Sequence, residues 1–388
     1  MVERNPKYDG LHVFKLDLNR LNSGDVLLTR NAETASSTAK LVSDLIAKTT
    51  GGNFSHALLC TKPPTFIEAV GHGVSNISVQ NCFAHDLKNV RLLRYPDSVT
   101  AGEAGSVALP FVGRRYSVRA AVCSILPNVQ MSNVPEDEVF CSALVAAAFR
   151  KAGAPEFAAV DPMKVTPATL EKATYFKDVT SDAFVQILSP SNVEELNALD
   201  GDRGASPYAR QAELFQSYCD VLLPRIGKFI DETPVPPYTI KPPGFLECIV
   251  FIAAVLRECD KLPDAVAESA RSKIVSIDDV AYALLSDGRY EEMQRAADAM
   301  DENVSRELIA ESFAANPDVD LNETRGLIIA TRQQISSRSK GLDAPNLRGH
   351  SRVFDKWLSF CEEVVEGLTL RLRALEEVFA RLFPSEQI

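Results

Sequence analysis

Three side chains within the first 145 residues have the types needed for covalent chemistry at a carbonyl: a thiol, an imidazole and a carboxylate. Cys141 stands in Val139-Phe140-Cys141-Ser142-Ala143-Leu144-Val145, His56 in Phe54-Ser55-His56-Ala57-Leu58-Leu59, and Glu68 in Phe66-Ile67-Glu68-Ala69. A cysteine attacks as its thiolate, and an ordinary cysteine is mostly protonated at neutral pH. A histidine beside it can take the proton and later hand it to a leaving group, while a carboxylate fixes the ring and its tautomer. The expected roles are therefore nucleophile for Cys141, base for His56 and orienter for Glu68.

The elements that must position these groups follow from local patterns. A Ser23-Gly24-Asp25 turn precedes the apolar run Val26-Leu27-Leu28-Thr29, which suits a strand. Helical spacing of Ala39, Leu41, Val42, Leu45 and Ile46 predicts a helix over 36–48, stopped by Gly51-Gly52. Residues 54–60 and 65–70 flank Thr61-Lys62-Pro63-Pro64 and read as an antiparallel pair. If Cys60 lies opposite Phe66, Glu68 falls opposite Leu58 and diagonal to His56, on one face, with alpha carbons about 7–8 Å apart. A slip of one residue would send the two groups to opposite faces. Further strands are expected at 74–79 and 90–95, and a helix over 139–151 puts Cys141 in its first turn. There the unpaired backbone donors and the helix dipole favour negative charge on sulfur.

Taken in order, these segments resemble the permuted NlpC-type branch of the papain-like superfamily, the YiiX-like group related to lecithin retinol acyltransferase. The resemblance rests on Gly24-Asp25-Val26-Leu27, Ser55-His56, Glu68-Ala69 with Gly73-Val74, Gly113-Arg114-Arg115-Tyr116, and Phe140-Cys141-Ser142-Ala143-Leu144-Val145, and it spans roughly residues 20 to 175. It implies an α+β fold, a circularly permuted papain-like domain with a small antiparallel sheet, and it assigns Cys141 as nucleophile, His56 as base and Glu68 as orienter. It also implies that Tyr116 lines the substrate pocket, with Ser55 beside it. The position after the tyrosine, often aspartate in the family, is Ser117 here, which departs from the usual pocket.

Plainer readings exist for each residue. A cysteine in an apolar helix is commonly packing, a strand histidine is commonly structural, and Tyr116 could be a core aromatic. His72, between two glycines, is an alternative base, whereas His12, His85 and His350 read as surface residues. Cys60, Cys82 and His85 could be imagined around a metal, but no paired short-spaced cysteine motif anchors one, and neither metal nor cofactor is expected. The chain has no phosphate loop and no dinucleotide glycine fingerprint.

At 388 residues the chain exceeds one ordinary core. A breaker-rich stretch near 190–206 divides a first domain (1–190) from an all-α domain (206–388) of no assigned role. In the latter, Val353, Trp357, Cys361, Val364, Leu368, Leu372, Leu375, Phe379 and Leu382 recur in steps of three and four, an apolar seam for packing within the domain or for a homo-oligomer or protein partner. An apolar share of 46%, a charged share of 24% and a net charge of -11 describe a globular chain unsuited to gripping nucleic acid phosphates. No signal-peptide pattern and no transmembrane segment are evident, so a cytoplasmic protein is expected, unless a signal-peptide-independent export route operates. The eight scattered cysteines fit reduced thiols. The expected activity is a cysteine-dependent amidase- or peptidase-like hydrolase acting on a small-molecule, peptide or acyl substrate. The alternatives are an acyltransferase or thioesterase built on the same triad, and a non-catalytic protein that works through its helical half.

Overall fold

The computed structural model describes residues 12–30, 48, 50–71, 73–117, 138–188, 197–200, 207–233, 235–296, 317–341 and 346–386. The helix expected over 36–48, apart from its last residue, the alternative base His72 and most of the proposed boundary at 190–206 lie outside the described residues.

The chain is mixed α and β with antiparallel sheets. Its strands are β1 (His12–Leu16), β2 (Val26–Thr29), β3 (His56–Lys62), β4 (Thr65–Val70), β5 (Gly73–Ser78), β6 (Cys82–Ala84), β7 (Val90–Arg94), β8 (Arg115–Tyr116), β9 (Glu138–Val139), β10 (Lys177–Asp178), β11 (Phe184–Leu188) and β12 (Asn197–Ala198). Among them run the helices α1 (Ser98–Ala108), α2 (Cys141–Lys151), α3 (Pro167–Lys172) and α4 (Thr180–Ala183). From residue 207 onward the named elements are all helical: α5 (Pro207–Glu232), α6 (Phe245–Cys259), α7 (Asp264–Leu285), α8 (Pro317–Gly341) and α9 (Arg352–Leu382). Pro236, Pro237, Pro242 and Pro243 fall in the connection between α5 and α6, where the missing amide donor of proline disfavours a continued helix.

The central sheet has six strands in the order β10-β7-β2-β3-β4-β5, with every neighbouring pair antiparallel. Strand β2 is buried along its whole length, which explains why Val26-Leu27-Leu28-Thr29 is continuously apolar rather than alternating. Side chains still alternate between faces. Leu28, Ala57, Leu59, Ile67 and Ala69 enter one core with α1 and α2, while Leu27, Leu58, Cys60 and Phe66 enter a second core behind the sheet. Helix α1 presents Ala101, Ala104, Gly105 and Ala108, all small, and so lies close against β3. The second core is closed by another sheet, β11-β1-β6-β12, and by Leu327, Ile328, Leu375 and Phe379. At the edge of the central sheet, the Gly24-Asp25 turn is tied to β7. The buried Asp25 carboxylate accepts from Arg94 Nε at 2.8 Å, from an Arg94 terminal nitrogen at 2.7 Å and from the Asn22 amide at 2.8 Å.

The first core runs without interruption into the helical half. Phe215, Tyr218 and Leu222 of α5, Phe245 and Ile249 of α6, Ile274 of α7 and Val353, Phe354 and Leu358 of α9 belong to the same buried cluster as Leu28 and Leu59. The apolar seam of α9 is divided between the two cores, with Val353 buried in the first and Leu375 and Phe379 in the second. Between them Cys361, Val364, Leu368 and Leu372 are half-buried, and Leu382 at the end is exposed. His85 corrects its reading as a surface residue. Its Nδ1 pairs with the fully buried Asp200 at 2.8 Å, its backbone amide donates to the same carboxylate at 3.1 Å, and Asn89 Nδ2 adds a third bond at 2.9 Å. This knot ties the chain before β7 to the end of β12, a structural use of an imidazole. His12 is exposed, and His350 is half-buried beside Asp260 at 3.3 Å.

Candidate active site

Strands β3 and β4 pair with Cys60 opposite Phe66 and Leu58 opposite Glu68, the register in which His56 and Glu68 share a face on the diagonal. The two-residue Pro63-Pro64 connection pairs Lys62 with Thr65, and a bulge between Cys60 and Lys62 then shifts the ladder by one residue into that register. His56 Nε2 donates to Glu68 Oε2 at 2.8 Å, and both side chains are largely buried, 18% and 7% exposed. With Nε2 committed to the carboxylate, the other ring nitrogen is left for the sulfur, and the His56 ring hydrogen-bonds Cys141.

Cys141 lies in the first turn of α2, as expected, but as its first residue, because the helix starts two residues later than Val139. The correction has a physical cause. Val139 belongs to β9, which pairs in parallel with β8, and Phe140 keeps an extended backbone as the N-cap, so the helix starts only at the cysteine. Phe140 offers no side-chain cap, which leaves the first-turn amides of α2 for another acceptor. The sulfur fills part of that role: the backbone N–H groups of Ser142 and of Ala57 on β3 stand near enough to favour its charged form. Further along the helix, Ser142 Oγ donates to the Val165 carbonyl at 2.8 Å, and Leu144 and Phe149 pack in the first core, which anchors the helix beyond Cys141.

The electrostatics follow from these contacts. Burial alone would push the Cys141 thiol up, but the His56 hydrogen bond and charge, with the two backbone amides, outweigh it and draw the thiol below the ordinary range. For His56 burial pulls the ring down, yet hydrogen bonds and charge from Cys141 and Glu68 reverse this and raise it to about 9. The two groups titrate as one coupled system, and the opposite shifts of sulfur and ring both favour the pair of thiolate and imidazolium. Other buried thiols go the opposite way: burial raises Cys60 and Cys259, and the sulfur of Cys219, together with burial, raises Cys248.

Tyr116 is half-buried on β8, beside the β9 strand that leads into Cys141. Burial first, and then the negative charge of Cys141, raise its phenol well above the ordinary tyrosine value, so the ring stands in the electrostatic reach of the sulfur. Ser117, the departure from the family pattern, is buried, and its amide donates to the Val139 carbonyl at 3.1 Å. Ser55 is half-buried at the entry to β3 with its amide on the Thr29 carbonyl at 3.0 Å. The sequence-predicted residues Cys141, His56, Glu68 and Tyr116 are thus gathered in one place, and Ser55 adjoins them through the chain.

The sequence reading missed two backbone donors, the amides of Ala57 and Ser142, because a main-chain group leaves no residue-type signal. It also gave no role to the acid on α6, Glu247, that holds Arg114 at 2.6 Å. Its only trace in the sequence is a lone acid in the first turn of an apolar helix. Compared with known proteins, the chain matches no family model, no curated protein and no solved structure.

Proposed function

We propose that this protein is a cysteine-dependent hydrolase of amide, ester or thioester carbonyls, with Cys141 as nucleophile, His56 as general acid and base, and Glu68 as the group that orients and charges the ring. The observation that carries this reading is the contiguous row Glu68, His56, Cys141, in which the thiol is drawn down and the imidazole drawn up, whereas the thiols of Cys60, Cys248 and Cys259 are raised. A sulfur kept merely for packing needs neither a charged partner nor amide donors. The fold we assign to residues 1–190 is the circularly permuted papain-like one, supported by the chain order of strand, histidine, carboxylate, tyrosine strap and cysteine helix around a central antiparallel sheet.

The chemistry follows from the resting pair. The Cys141 thiolate attacks the carbonyl carbon, and negative charge develops on its oxygen, where the Cys141 backbone amide at the start of α2 is a donor. As the tetrahedral centre collapses, the His56 imidazolium gives its proton to the leaving nitrogen, oxygen or sulfur, and a thioester remains on Cys141. Neutral His56 then removes a proton from water as the water attacks the thioester. Collapse releases the acid and returns the thiolate and imidazolium. An acceptor hydroxyl or amine in place of water would make the same site an acyltransferase.

The test is covalent trapping. Intact-mass spectrometry after brief mixing with a panel of acyl thioesters, activated esters and anilides should show one added acyl group in the wild type and none in Cys141→Ala. Decay of the adduct in water alone identifies a hydrolase, and decay only with an added amine or alcohol identifies a transferase. Failure of every donor to load Cys141, with the protein folded, overturns the proposal.

A further inference from the structure

The segment 113–117 is the part of the site least able to hold itself in place. Its strand β8 is two residues long, and it joins β5 on one side and β9 on the other. On the β5 side the Val74 amide donates to the Arg114 carbonyl at 2.9 Å and the Gly113 amide to the Val74 carbonyl at 2.9 Å. On the β9 side it pairs with Glu138 and Val139 and receives the Ser117 amide bond. So short a ladder is marginal without packing. Whatever fixes this strap also bears on β9 and, two residues further, on the start of the cysteine helix.

The helical half supplies that fixation. Arg114 reaches α6 and donates to Glu247 Oε1 at 2.6 Å, with its guanidinium 3.9 Å from the centre of the Phe111 ring. The pair is substantially buried, its side chains 12% and 23% exposed. Arg115 pairs with Asp220 on α5. Gly113 has φ +85°, and a β-carbon there would meet the Phe215 β-carbon of α5 at 2.6 Å. Gly73, φ +112°, would meet the Gln216 side chain in the same way. Both glycines therefore let the strap and its β5 neighbour press directly on α5.

Resting on the catalytic reading above, we infer that Arg114 and Glu247 are positioning residues: the helical half, through this ion pair, holds the strap so that Cys141 stays seated against His56. His56 is carried by β3 in the centre of the sheet, so a strap that shifts moves the sulfur and leaves the ring behind. The helical half is then part of the active site's frame.

The experiment is the pH dependence of Cys141 alkylation by iodoacetamide, read by peptide mass spectrometry in the wild type, Arg114→Ala, Arg114→Lys and Glu247→Gln, with thermal unfolding alongside. Separation of sulfur from imidazole moves the acid limb of the profile up, toward an ordinary cysteine, and slows labelling at neutral pH by about tenfold or more. Arg114→Ala and Glu247→Gln should both do this while still folding cooperatively, and Arg114→Lys, which keeps a charged donor, should restore most of the rate. If Arg114→Ala fails to fold, Glu247→Gln, which preserves shape and removes only charge, decides the matter. Folded variants with the wild-type profile overturn the positioning role. A wild-type Cys141 that labels no faster than the other cysteines, or independently of His56, overturns the catalytic reading instead.

Discussion

Replacing Glu68 with glutamine removes charge from the orienting group while keeping an acceptor of the same size. In the native protein the His56 ring rises from 6.5 to about 9, a preference for the charged ring of roughly 3 kcal/mol, shared between Cys141 and Glu68 and opposed by burial. A hydrogen bond to a charged partner is worth about 1.5–3 kcal/mol against about 0.5–1.5 for a neutral one, so Glu68→Gln should forfeit on the order of 1–1.5 kcal/mol. That is about one pH unit. The ring's own titration should move down by this amount, while the acid limb of Cys141 ionisation should hold its place, because the ring is still charged when the thiol loses its proton. Ring-nitrogen NMR of His56 reads the first, and the pH profile of iodoacetamide labelling at Cys141 reads the second. A His56 midpoint unchanged in a folded Glu68→Gln protein would refute the reasoning, and an acid limb that moves up as the ring moves down would show that the ring loses its proton before the thiol does.

Other expectations follow from the same geometry. Turnover of any substrate found by trapping should rise as Cys141 ionises and fall as pH passes about 9, where His56 loses the proton it must give to the leaving group; a rate that stays level to higher pH would count against His56 as the acid. Phe149, fully buried on α2 against Tyr95, Phe157 and Phe176, should cost about 3–5 kcal/mol when changed to alanine, measured by denaturant unfolding. Arg94→Met strands the buried Asp25 carboxylate and should cost about 3–5 kcal/mol at neutral pH. Burial already raises the Asp25 carboxyl above its ordinary value despite Arg94, and the substitution raises it further. The deficit should therefore be smallest in acid and grow as pH rises through the carboxyl's elevated range. A loss independent of pH would mean that Asp25 is not the group stranded.

The site was more legible than the frame around it. Alternation along residues 54–60 and 65–70 suited the register that puts Glu68 opposite Leu58, and that is the one found, but the bulge between Cys60 and Lys62 that produces it left no mark in the sequence. The helix of Cys141 was visible in its apolar spacing, but its start was not. Val139 and Phe140 suit a helix as well as a strand, and the pairing of β9 with β8 decided between them. Strand β1 joins β11 from far along the chain and contains the polar Lys15, so no local pattern announced it. The bond of His85 to Asp200 links residues 115 apart, and a lone histidine in a loop carries no mark of such a partner. The periodicity of α9 was plain in the sequence, yet which of its residues enter which core depends on two separate packing surfaces that no single seam encodes.

The central claim is that Cys141 is a thiolate made nucleophilic by His56. Competitive labelling at neutral pH with a limiting amount of iodoacetamide, resolved over all eight cysteines by peptide mass spectrometry, tests it most directly in the wild type and His56→Ala. The account predicts that Cys141 takes most of the label in the wild type and falls back among the other thiols in His56→Ala. Even labelling across several cysteines, or a Cys141 rate untouched by loss of the imidazole, would contradict it.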